Sequence, residues 1–129
     1  MRQFLNFTPN HGEISVRFSF NVELLVGTYT LTVWDHDGKV ALSKTEAVVK
    51  DIPDVVIPEA VTGGQFLIEL NATIVSLLTP EEGQQYQVEL TTLQSGQALA
   101  DPMKLEGDLP ASKEVVTLMV IMTPKTATA

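Results

Sequence analysis

The sequence contains no cysteine, which removes disulfide frameworks, thiolate metal sites and cysteine nucleophiles together. Cations are scarce: eight Lys and Arg stand against sixteen Asp and Glu, a net charge of −8. Neutralising a phosphate backbone takes clustered positive charge, so nucleic acid and anionic membrane are excluded as expected partners. Long apolar runs are missing too. The longest, Ile74 to Leu78 and Val115 to Met122, fall far short of the ~20 residues of a membrane-spanning helix. No signal-peptide core follows Met1 to Asn6, because Thr8, Asn10 and His11 interrupt at once. Neither membrane insertion nor a secretory leader is expected, and the compartment stays open. Helical periodicity is also lacking; only Ser43 to Lys50 has room for two helical turns, and its paired Val48 and Val49 suit a strand equally well.

What is present is alternation. With 129 residues, 44% of them hydrophobic, the chain suffices for one domain, residues 1–129, with a real core. From Glu13 to Glu23, Ile14, Val16, Phe18, Phe20 and Val22 alternate with polar residues, the period of a half-buried strand. Thr28 to Trp34 repeats this, with Tyr29, Leu31 and Val33 on one face and threonines on the other. Asp35-His36-Asp37-Gly38 supplies a turn, because Asp tolerates and Gly freely adopts positive φ, so residues 28–43 read as a hairpin.

Between Lys50 and Gly64, Pro53 and Pro58 each remove a ladder donor, and this stretch reads as a crossing connection. Gln65 to Leu78 is a long strand with Phe66, Ile68, Leu70, Ala72 and Ile74 on one face, closed by Pro80. Tyr86, Val88 and Leu90 alternate again, and Gln94-Ser95-Gly96-Gln97 forms a second hairpin turn. An irregular stretch with Pro102, Gly107 and Pro110 precedes a last strand from Glu114 to Met122. The expected class is all-β: an antiparallel β-sandwich of about seven strands, since a parallel sheet would need crossover helices.

Gly27-Thr28-Tyr29-Thr30-Leu31-Thr32-Val33 followed by Asp35-His36-Asp37-Gly38 resembles the strand and turn of bacterial immunoglobulin-like modules. Leu78-Thr79-Pro80 before Tyr86-Gln87-Val88 is similar to the tyrosine corner of fibronectin type III domains, with a longer gap. The resemblance implies an immunoglobulin-like fold and a role in binding or scaffolding. It assigns no catalytic residue.

Catalytic and metal chemistry finds little support. Asp35, Asp37 and Gly38 begin like a calcium loop, but Lys39 follows and no acidic residue stands where a closing bidentate ligand belongs. His11 and His36, the two histidines, sit in turns, and a zinc site needs three or four ligands. Glu81 and Glu82 are adjacent at a corner and point apart, unlike paired acid-base carboxylates. Nucleophile elbow, phosphate loop and dinucleotide fingerprint are missing. The expectation is no catalytic residue, no metal and no cofactor.

Two features exceed a plain monomeric sandwich. Val115 to Met122 is apolar on both faces, where a one-sided sheet alternates; its second face is covered either by a loop of the same chain or by a partner. Trp34 falls by parity with the threonines on the outer face, unless a bulge near the turn sends it inward. The expected interface is Trp34, Val116, Leu118, Val120 and Met122, toward a protein partner or another copy. The expected function is thus a non-catalytic structural or protein-interaction subunit of a larger assembly, such as a cell-surface, secretion or virion structure. The rivals are a carbohydrate or small-ligand module using Trp34, whose aromatic ring can stack on a sugar, and an enzyme that brings His11 and His36 together.

Overall fold

In the computed structural model, the structure describes residues 1–20, 25–76, 85–108 and 114–125. The period-two segments form strands over their described residues. In chain order they are β1 (Arg2–Phe7), β2 (Ile14–Phe20), β3 (Leu25–Trp34), β4 (Val40–Ala47), β5 (Val55–Val56), β6 (Phe66–Ser76), β7 (Gln85–Gln94), β8 (Gln97–Ala98), β9 (Met103–Asp108) and β10 (Glu114–Pro124). Among the described residues, a 3-10 turn, Glu59–Gly63, is the helical element. The fold is all-β, with two sheets in a sandwich-like arrangement. The first has the order β1-β10-β6-β3-β4; the second has β5-β2-β7-β8, with β9 also on β7.

The alternating residues meet between the sheets. From the first sheet come Tyr29, Leu31 and Val33 of β3 and Phe66, Ile68, Leu70 and Ile74 of β6, all buried. From the second come Val16, Phe18 and Phe20 of β2 and Val88 and Leu90 of β7. Tyr29 bridges the layers, edge-on to Phe18 at 5.0 Å and stacked near Phe20 at 6.1 Å. Such offset and edge contacts are the favoured geometries of aromatic quadrupoles.

The two expected turns close as their residues dictate. Asp35 Oδ1 accepts from the main-chain N–H of Asp37 and of Lys39, both at 2.9 Å, and Gly38 takes φ 77°. Ser95 and Gly96 both have positive φ, 54° and 78°, the backbone of a type I′ hairpin. The Lys50 to Gly64 connection holds only the two-residue β5 and the 3-10 turn. Ser43 to Ala47, which suited helix or strand, continues β4.

Two elements differ from the expectation. β1 was not foreseen, and it pairs in parallel with β10, Arg2 opposite Met119 and Phe7 opposite Pro124. β9 occupies the stretch expected to be irregular and pairs with β7 through Leu90 and Met103. Gly107 tolerates this because the Tyr86 ring fills its side-chain space; a Cβ there would lie 2.7 Å from the Tyr86 hydroxyl oxygen. Among the described residues there are ten strands, two of them only two residues long. Val22, Leu78 to Glu82 and Pro110 lie outside the described residues.

Candidate interaction surface

Strand β10 alternates in burial although its sequence does not alternate in polarity. Val116, Leu118, Val120 and Met122 are buried at 3, 0, 0 and 0% exposure and belong to the core of their own chain. These four were expected at an interface; the structure corrects that placement, because the register with β6 sets Leu118 opposite Leu70 and Val120 opposite Ile68, on the face turned to the second sheet. The outward parity belongs to Val115, Thr117, Met119, Ile121 and Thr123.

Trp34 keeps the outward parity. The register does slip at Val33/Trp34, but only against β4, where Val33 pairs Leu42 and Trp34 pairs Val40. The extra residue is therefore Ala41. Against β6 the pairing is continuous, Val33 with Ile68 and Trp34 with Leu67. A bulge in the partner strand leaves the orientation of Trp34 unchanged, and its ring is half-buried beside Leu67 and Ile121.

Following the ladders across the first sheet joins these residues into one row. Phe4 pairs with Ile121, Ile121 with Leu67, Leu67 with Trp34, and Trp34 with Val40. Every one of the five strands thus contributes an apolar side chain to the same line on the outer face. Phe4 is 73% and Val40 51% exposed at its two ends. Cross-strand neighbours on one face are in side-chain contact range, so the row is a continuous apolar band.

One row away stand Arg2, Met119, Glu69, Thr32 and Ser43. Next comes a polar row. Thr117 Oγ1 donates to Asn71 Oδ1 at 2.6 Å, Asn71 Nδ2 donates to Glu69 at 2.7 Å, and the Thr30 and Thr45 hydroxyls pair at 2.9 Å. Arg2 and Glu69 are the ionisable side chains at the outward positions of these five strands, and they are opposite in sign. The outer face of the second sheet is dressed differently. Arg17 binds Asp54 through two hydrogen bonds of 3.0 Å, and Lys104 lies 3.4 Å from Glu89.

Two clefts open at the sheet end where β1 and β3 finish. One, of about 490 Å³, is lined by Phe7, Ile14 and Ile57 with Glu13 and Glu59 among its polar groups. The other, of about 410 Å³, lies beside Trp34 with His36, Gln65 and Asp35. The two share no lining residue. His11 and His36 are both exposed; the His36 ring stands 3.6 Å from the Asp37 carboxylate, and the His11 carbonyl accepts from Ser95 Oγ. The Asp35 carboxylate is engaged by the turn. Its bond from Lys39 N–H, followed by that from Asp37 and the nearby positive charges, holds its pKa below the usual carboxylate value. Among the described residues, no group of three or more His, Asp or Glu is placed to hold a metal ion. Glu81 and Glu82 lie outside the described residues.

Comparison with known proteins places no relative beside this chain: no family model, no curated protein and no solved structure matches it.

Proposed function

We propose that this chain is a non-catalytic structural or protein-interaction module with an immunoglobulin-like β-sandwich, working as a subunit of a larger assembly of the cell-surface, secretion or virion kind. The observation that carries the reading is the outer face of the first sheet. A band of five apolar side chains crosses all five strands there, amid threonines and one charge of each sign. A solvated sheet face ordinarily alternates with charge, as the second sheet does with Arg17, Glu89 and Lys104. A contiguous apolar patch with a polar rim is instead the anatomy of a contact surface.

The immunoglobulin-like reading draws on the two-layer architecture and on the β3–β4 hairpin. One connection departs from that family: β6 returns to the sheet of β3 before β7 joins β2. In immunoglobulin constant domains, the fourth and fifth strands both lie in the sheet of the second.

Gradient sedimentation of the tagged chain in extract of the cells that naturally make it tests the module reading. The wild type is expected to migrate in a complex well above its own 14.1 kDa, and Ile121→Glu to release it as a free folded chain. Migration at 14.1 kDa under all conditions would sink the reading.

A second reading has its own observation. Trp34 flanks an open cleft with Asp35, His36 and Gln65 as hydrogen-bonding groups, an arrangement that suits stacking of a sugar ring. Soluble oligosaccharides would then shift and protect the fluorescence of this single tryptophan; an unchanged spectrum at millimolar sugar rejects it.

A further inference from the structure

We infer that the partner of the outer face of the first sheet is a second copy of this chain, docked face to face about a two-fold axis. The inference rests on the module reading above and names the partner of the same surface.

Charge is the first argument. The chain carries −8, yet the outward positions of the five strands hold only Arg2 and Glu69. A surface that meets its own image cannot carry net charge without repelling itself, because like charges brought face to face are unfavourable. A surface built for an unlike partner is under no such constraint. Opposing an acidic chain, such a partner would draw on the acidic regions that this face omits.

The layout of the apolar band is the second. Two-fold interfaces are isologous, so the same patch must be complementary to itself. Phe4, Ile121, Leu67, Trp34 and Val40 form a line with Leu67 at its midpoint. A two-fold axis lying along this line sets apolar side chain on apolar side chain at all five positions and keeps Glu69, one row off the axis, away from its own image. The hydroxyl and amide rows on that face are neutral and donate as readily as they accept, so they too can meet themselves.

Area is the third. Five strands spaced about 4.8 Å and some eight residues long at about 3.3 Å each give a face of roughly 600 Å². Side-chain relief enlarges the accessible area beyond that flat footprint, toward the roughly 800 Å² per partner of standard interfaces.

The test is sedimentation equilibrium and light scattering of the purified full chain, at low and high salt. The expected result is 28.2 kDa, twice the 14.1 kDa chain, at tens of micromolar. Because both copies are acidic away from the interface, screening strengthens the dimer as salt rises. Trp34, the single tryptophan, reports from inside the band, and its quenching by acrylamide rises on dilution through the dissociation constant. Ile121→Glu and, at the more exposed position, Phe4→Glu weaken dimerisation by about tenfold or more, equivalent to about 1.4 kcal/mol, with unchanged circular dichroism. Lys104→Glu on the other sheet leaves it intact.

A mass of 14.1 kDa at every concentration, or a dimer indifferent to both glutamates, overturns the inference. If the purified chain is monomeric but Ile121→Glu still releases it from a complex in extract, the module reading stands and the partner is an unlike protein. If it is monomeric in both, both readings fall.

Discussion

The Gln94 side chain clasps the main chain of Thr8 as a strand would: Nε2 donates to the Thr8 carbonyl at 2.8 Å, and Oε1 accepts from the Thr8 N–H at 3.1 Å. Gln94 ends β7 in the second sheet, and Thr8 follows β1 in the first, so one amide ties the two layers together. Gln94 is only 6% exposed. Gln94→Ala removes both bonds and strands two partly buried main-chain groups, at a cost of about 2–3 kcal/mol. Urea denaturation of the two proteins measures it. Gln94→Glu is expected to be destabilised at neutral pH, where two oxygens face the Thr8 carbonyl, and to recover part of the loss in acid.

Thr92 offers the opposite case. Among the described residues, its Oγ1 is a buried side-chain oxygen with no hydrogen-bond partner, at 1% residue exposure. A buried hydroxyl without a partner is a net cost. Thr92→Val is therefore expected to raise stability by about 1 kcal/mol, read as a higher urea midpoint at unchanged slope.

Tyr29 predicts an alkaline limit. Its ring is 1% exposed and its hydroxyl lies 3.3 Å from Glu46 Oε2. Burial first, and the neighbouring carboxylate second, raise its pKa above that of an ordinary tyrosine. The folded state thus favours the neutral phenol. The stability this supplies is complete below the unfolded value near 10 and is lost as pH rises through the folded value. Tyr29→Phe is expected to be slightly less stable than wild type at pH 7 and to lose less stability between pH 10 and 12, in urea midpoints taken across that range.

Adjacent parities of β10 should respond oppositely. Leu118, at 0% exposure, faces the core, and Leu118→Ala is expected to cost about 3 kcal/mol through lost burial and the cavity left behind. Ile121→Thr, on the outer face, keeps a β-branched strand former and is expected to cost the monomer under about 1 kcal/mol. Thermal and urea unfolding at dilutions where the chain is monomeric check both. Similar losses for the two would contradict the assigned faces.

The parts of the fold legible in the sequence were those where polarity and geometry coincide. β2 alternates hydrophobic and polar without exception, and Asp35 to Gly38 names its own turn, so both could be placed from residue types. β1 escaped because Phe4 and Leu5 are both apolar and face opposite ways, which hides the period over a six-residue strand. β9 escaped because Gly107 takes an inward position with no side chain, its space filled by Tyr86. In β10, Val115 to Met122 is apolar at both parities, so the pattern announced surplus hydrophobic surface without saying which half was surplus. The core set was therefore mistaken for the contact set. Trp34 could be placed outward by parity alone, but its four companions in the band are neighbours only through strand register, a long-range property that local composition does not encode.

The parallel ladder of β1 on β10 also constrains how the molecule reaches its native state. Arg2 pairs with Met119, and Phe7 with Pro124, so β1 has as its ladder partner a strand that follows it only after all the others described above. During synthesis the β3–β4 hairpin and the β2–β7 pairing can assemble while residues 2–7 wait, unpaired, for a strand that does not yet exist. Contacts of such separation in sequence slow folding, and closure of this edge must wait until β10 itself has been made.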